Sequence, residues 1–147
     1  MLNTVIGVVI ILFVVLALVG RYIRVLKDIT SYYMYPVVRS QVKRVLIETG
    51  DGNADEEYID ASETLEAATQ FALKLRVSQI SIKDMRTIKK AHDLDMIDEL
   101  EKEFQLWAMK ESEMFSLDVY MWFLSNNKNI DKFLEELGNI YRREQLS

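Results

Sequence analysis

LNTVIGVVIILFVVLALVG, residues 2–20, is an almost unbroken apolar run, and the rest of the chain is organised around it. Its polar residues, Asn3 and Thr4, lie at the outer end, and residues 5–19 include no ionisable side chain. A helix rises about 1.5 Å per residue, so this run extends roughly 28 Å, close to the ~30 Å thickness of a bilayer's hydrocarbon core. The run therefore predicts one transmembrane helix, with residues 1–20 as the membrane anchor.

Two other interpretations of this run fit its residues less well. A cleaved signal peptide normally begins with a basic segment, and no basic residue precedes Val5, although Val15-x-Ala17 matches a cleavage pattern. A buried core helix of a soluble protein seldom remains apolar on every face over such a length. The transmembrane interpretation is therefore favoured over both.

Six basic residues follow the run, and none precedes it. We call them the basic collar: Arg21, Arg24, Lys27, Arg39, Lys43 and Arg44. Because Lys and Arg beside a span are retained on the cytoplasmic side, we expect the N-terminus outside and the C-terminus in the cytoplasm. We also expect the collar to contact anionic lipid headgroups at the membrane surface.

Charge divides the chain into two parts. Residues 1–44 have six basic residues against one acid, whereas residues 45–147 have twelve against twenty-two. The acidic part is repelled by nucleic acid, which excludes that class of partner. Cysteine is absent and there is a single histidine, so disulfides, thiolate catalysis and zinc sites built from these residues are excluded as well. No cofactor is expected.

Beyond the anchor, helical periodicity predicts an all-α fold with a small cytoplasmic domain of about five to six helices. Residues 21–49 are expected to form basic, amphipathic juxtamembrane helices, with a kink or boundary at Pro36, which lacks a backbone donor. Residues 61–147 form the acidic helical domain. Its helices have capping-type start signals, each a pair of residues three apart: Asp60 with Glu63, Ser81 with Asp84, and Asp95 with Asp98.

Residues 50–60 are predicted to form an acidic loop between these two regions. Three of its side chains match the first, third and fifth positions of a calcium-binding loop. However, Glu56 occupies the sixth position, where the turn needs glycine, and Ser62 the twelfth, where a bidentate glutamate is needed. A solvated loop without bound calcium is the expectation.

Residues 114–124 (MFSLDVYMWFL) are apolar nearly all round, which predicts the central helix of the domain. The alternative is that part of it, Tyr120, Met121 and Trp122, is an exposed surface for a partner, since methionine and aromatic residues suit adaptable contacts. A small domain needs large side chains for its own core, so core packing is favoured.

No catalytic signature accompanies these features. His92 precedes Asp93, but no nucleophile or oxyanion-hole loop is identifiable beside them. The leading hypothesis is therefore a non-enzymatic, single-pass adaptor that binds another, membrane-associated protein, with homo-oligomers possible through its span. The alternatives are an accessory subunit of a transporter, respiratory or secretion complex, and a membrane-tethered enzyme of unknown class.

Overall fold

The computed structural model describes residues 1–49, 56–126 and 130–146. Every regular element in these ranges is an α-helix, so the all-α class is confirmed for them. The helices are α1 (Leu2–Thr49), α2 (Glu56–Asp60), α3 (Glu63–Ser78), α4 (Ile82–Asp93), α5 (Ile97–Lys110), α6 (Ser112–Ser125) and α7 (Ile130–Leu146).

The long helix α1 continues through Pro36, so of the kink or boundary predicted there, the boundary is wrong. Residues on both sides of the proline, including Tyr33, Met34 and Val38, are buried in the core. A proline inside a helix costs about 3 kcal/mol, and burial of a large apolar side chain contributes about 1.5–3 kcal/mol. Tertiary packing therefore holds the helix together across the missing hydrogen bond.

The outer part of α1 is long and apolar enough to cross a membrane. An 18-residue window there has a mean hydropathy of 3.0, and none of that window is buried against the rest of the chain. The interpretation as a buried core helix is therefore wrong, because the described residues do not bury these side chains.

The inner part of α1 is the central helix of the domain. It contacts α2, α3, α4, α5 and α6. Its buried side chains recur at intervals of three and four, as expected for one packed face: Leu26, Thr30, Tyr33, Met34, Val38, Val42, Val45 and Leu46. This is the position that residues 114–124 were predicted to occupy. Those residues instead lie in α6, which buries only one of its faces.

Two of the three predicted helix starts differ in the structure. Ser81 caps α4 as predicted, its hydroxyl accepting from Asp84 N at 3.1 Å. At α3 the cap is Ser62, whose hydroxyl accepts from Leu65 N at 3.3 Å. Asp60 is unavailable as a cap because its carboxylate binds cations of α1. The predicted start at Asp95 is wrong: α5 begins at Ile97 without a side-chain cap.

Part of the predicted acidic loop is helical. Residues 56–60 form the short helix α2, whose Ile59 is fully buried in the core. Burial of this one apolar side chain fixes the turn against α1, which explains why an acidic segment becomes helical. Residues 50–55, where the calcium-like pattern falls, lie outside the described residues.

Candidate functional site

A cleft of about 870 Å³ opens between α4 and α5, and the ends of α3 and α6 close one side of it. Eight apolar side chains line the cleft, from α4, α5, α6 and the turns after α3 and before α5. They are Ile80, Ile88, Ala91, Met96, Leu100, Phe104, Trp107 and Met114. Leu100 and Phe104 are buried and form the floor, whereas Met96 is exposed at the mouth.

Carboxylates surround this apolar floor. Asp84 comes from α4, Glu99 and Glu103 from α5, and Glu111 from the turn that follows α5. The first three are exposed, and none of the four forms an ion pair within the described part of the chain. We call this arrangement the acidic rim.

The cation lining the cleft, Arg76, is neutralised inside the protein. Its Nη2 donates to Asp118 Oδ1 at 3.0 Å, and its Nε lies 2.9 Å from Asp118 Oδ2. Both side chains are buried, at 10% and 2% exposure. Burial raises the pKa of the Asp118 carboxyl, and the adjacent Arg76 guanidinium opposes that shift. Because this pair cancels internally, the remaining charges on the lining of the cleft are the four carboxylates of the acidic rim.

Sequence reasoning missed this cleft. One available signal was Asp118, the lone carboxylate of the apolar segment 114–124, since a buried charge requires a partner. The partner, Arg76, is 42 residues away along the chain, and nothing in the local pattern identifies it. Periodicity predicts solvated acidic faces for Glu99 and Glu103 and a helix start for Asp84, but it does not reveal which neighbouring helix a face meets.

Tyr120, Met121 and Trp122, the alternative partner surface, differ in their exposure. Trp122 is 4% exposed and belongs to the core, whereas Tyr120 is 62% exposed. Met121 is also exposed and joins Tyr120, Leu117 and Leu124 in a continuous row at helical spacing. We call these four residues the outer α6 stripe. It is apolar and lacks a partner within the part of the chain that the structure describes.

The structure divides the basic collar into two groups. The first, Arg21, Arg24 and Lys27, is exposed beside the end of the apolar run. The second, Arg39, Lys43 and Arg44, begins about 28 Å beyond Gly20 along α1.

The second group is engaged within the domain. Asp60 accepts from Arg39 at 3.1 Å and from Lys43 at 3.0 Å, and chiefly Lys43 lowers the pKa of this carboxyl. Arg44 binds Glu48 and donates to the carbonyl of Ser112 at 3.2 Å. These three cations therefore stabilise the packing of α2 and α6 on α1.

His92 fastens the end of α4 to α1. Its Nδ1 lies 2.6 Å from the hydroxyl of Tyr33, whose ring also stacks on Phe104 with an interplanar angle of 5°. Burial raises the pKa of the Tyr33 phenol, so the hydroxyl remains protonated and can donate to the imidazole. His92 is thus part of the framework that positions α4 beside the cleft.

The described residues do not assemble a metal centre: no three His, Asp or Glu side chains among them are placed to hold an ion. The recognisable chemistry of the cleft is an apolar floor within a ring of carboxylates. No family model matches the chain, and no curated protein or solved structure is significantly similar to it.

Proposed function

We propose that this chain is a single-pass, membrane-anchored, non-enzymatic interaction protein. Its acidic domain would lie at the cytoplasmic face and bind a basic amphipathic helix of another, membrane-associated protein in the α4–α5 cleft. The observation that carries the proposal is the apolar floor of that cleft enclosed by the acidic rim.

Charge complementarity selects the class of occupant. A partner that covers Leu100 and Phe104 must present apolar side chains, and its flanks then face Asp84, Glu99 and Glu103. Lysine or arginine on those flanks is attracted by the rim, whereas acidic flanks are repelled. An amphipathic helix with a basic polar face satisfies both requirements, and helix-in-groove docking is a recurrent mode of recognition.

The length of the cleft agrees with a helical occupant. Its lining extends from Met96, the residue before α5, to Trp107 of α5, eleven steps along the chain or about 16 Å at helical rise. That distance equals about three helical turns, enough for apolar residues at successive turns of a docked helix to reach the floor.

A synthetic leucine–lysine amphipathic helix is the direct probe of this cleft. It would be titrated against the full chain in zwitterionic nanodiscs, using the fluorescence of Trp107, which lines the cleft. We expect saturable binding, with the dissociation constant raised about tenfold in the variant D84N/E99Q/E103Q, because three rim charges of about 0.2–1 kcal/mol each are removed.

The matched control is D98N/E113Q/E135Q, which removes the same charge at exposed positions outside the cleft lining. It should bind the probe as the unmodified chain does. Equal weakening in both variants would show that net charge alone attracts the probe, and the cleft assignment would then be abandoned. Replacing Trp107 with Phe tests whether Trp107 is the source of the signal. The fluorescence change on binding should then disappear.

The outer α6 stripe favours a second candidate function, that of an accessory subunit permanently packed in a larger membrane complex. Obligate interfaces are apolar, and this stripe contains no charge. Purification in mild detergent distinguishes the two functions. Recovery only with stoichiometric membrane partners would support the accessory subunit, whereas a stable species containing this chain alone would support the interaction protein.

A further inference from the structure

We propose that the outer face of α4 binds headgroups of anionic phospholipids in the bilayer that α1 crosses, an inference that rests on the membrane topology of the proposed function. This face consists of Lys83, Arg86, Lys89 and Lys90, and we call it the α4 basic face. It was not among the membrane-contacting residues expected from the sequence. The shared chemistry of its ligands is a phosphate-bearing anion.

The α4 basic face is unusual within an acidic domain. Helix α4 has four basic residues against two acids, whereas α2, α5, α6 and α7 each have more acidic than basic residues. Lys83, Arg86 and Lys90 are exposed and form no ion pair within the described residues. Lys89 contacts Asp93 at 2.6 Å. Three cations therefore remain available to an external anion.

The position of α4 brings these cations to the membrane surface. Tyr22 of α1 lines the same shallow depression as the four basic residues. Tyr22 is two residues beyond Gly20, about 3 Å along the helix axis, and so lies at headgroup depth if the apolar run crosses the bilayer. Tyrosine is itself enriched at that interface. The α4 basic face thus lies beside the headgroup layer, far from the acidic residues of α2.

The α4 basic face also completes a ring of positive charge around α1. At 3.6 residues per turn, Arg24 points about 160° away from Tyr22 around the helix axis. Arg21 and Lys27 lie on either side of Arg24, on the face opposite Tyr22. The side of α1 that carries Tyr22 has no basic residue of its own near the span, and α4 provides the charge there. Anionic headgroups therefore meet cations on both sides of the helix.

The test uses the full chain in vesicles of phosphatidylcholine with and without phosphatidylglycerol. Because the chain contains no cysteine, T87C introduces a single labelling site beside the α4 basic face. Energy transfer from this label to headgroup-labelled tracers of either lipid measures the relative association of phosphatidylglycerol. Each basic residue near an anionic surface contributes about fivefold to binding, so K83Q/R86Q/K90Q should lower the preference at least about fivefold.

Two controls separate local contact from net charge and lipid from free phosphate. K74Q/K102Q/K110Q removes three exposed cations elsewhere in the domain and should retain the preference. Sodium chloride should weaken the preference by screening, and inorganic phosphate at equal ionic strength should weaken it no further. A larger loss with phosphate would identify free phosphate as the ligand, and equal losses in both variants would exclude a local site. Either result would overturn the proposal.

Alkaline carbonate extraction in parallel distinguishes failure of the membrane span from failure of lipid binding by the α4 basic face. Release of the chain from the vesicles would refute the span itself. A chain that resists extraction but shows no preference for phosphatidylglycerol would refute only the role of the α4 basic face. Retention together with a preference that K83Q/R86Q/K90Q lowers at least about fivefold is the expected result.

Discussion

Asp118 and Arg76 form a buried ion pair beneath the cleft, which leads to a prediction at the scale of single residues. Replacing Asp118 with Ala leaves the Arg76 guanidinium buried without its counter-charge. We expect a loss of about 3–5 kcal/mol in the free energy of unfolding, measured by chemical denaturation in mild detergent. The double variant R76M/D118L, which removes both charges, should be close to neutral or more stable. A loss below about 1 kcal/mol in D118A would contradict burial of the pair.

Neighbouring residues of α6 give a second prediction at this scale. Trp122 is enclosed by core residues and contacts the ring of Phe123 edge-on, whereas Tyr120 faces outward. Trp122→Ala should destabilise the domain by about 3–5 kcal/mol, and Tyr120→Ala by no more than about 0.5 kcal/mol. Thermal or chemical unfolding of the two variants provides the comparison. Equal effects would mean that the assignment of core and outer faces of α6 is incorrect.

At the scale of the element, α1 contains an unusual internal proline. Pro36→Ala restores a backbone donor that can bond to the carbonyl of Tyr32, one turn earlier. It also raises the entropy of the unfolded chain, which lowers the free energy of unfolding by about 0.4–1 kcal/mol. The interior cost of proline is about 3 kcal/mol, so we expect a net stabilisation of about 1–3 kcal/mol in the free energy of unfolding.

Ser40→Ala is the matched control for that experiment, because Ser40 is also exposed and lies one turn further along α1. Its gain should remain below about 0.7 kcal/mol, the range of ordinary helix propensities. If P36A stabilises no more than S40A, the helix around Pro36 loses nothing to the missing donor.

Periodicity predicted the elements better than it predicted their relationships. It placed helices over most of residues 61–147 and identified Ser81 as a cap, since both depend on neighbours within a few residues. It failed at Asp60 because Arg39 and Lys43, which compete for that carboxylate, are about twenty residues distant. It also failed at Pro36, where local propensity is outweighed by long-range packing of α1.

The cleft illustrates the same limitation. Leu100 and Phe104 are four residues apart, a helical spacing that predicts a shared face, and both are buried. That Ile88 of α4 would meet them across a cleft depends on how two helices pack, which their separate patterns do not specify. The sequence therefore indicated the apolar residues of the site without indicating that they form one.

At the scale of the whole molecule, the proposed orientation in the membrane can be tested by changing charges beside the apolar run. Neutralising the first group of the collar in R21Q/R24Q/K27Q removes the basic residues closest to the span, so we expect a mixed population of orientations. A topology reporter fused after the C-terminus measures it. K74Q/K102Q/K110Q should keep the C-terminus cytoplasmic, because those residues are too far from the span to set orientation. Uniform cytoplasmic placement of both variants would contradict orientation by the collar.

One uninterrupted helix joins the apolar run to the core, so the domain cannot rotate independently of the run. Leu26, already fully buried, is six residues beyond Gly20, about 9 Å along the same helix. In the proposed topology α1 is one rigid helix from the apolar run to Thr49. A typical tilt of about 20° in the bilayer displaces Thr49 by roughly 15 Å parallel to the membrane, relative to Gly20. Changes in bilayer thickness that alter this tilt would therefore move the α4–α5 cleft parallel to the membrane surface together with the helix.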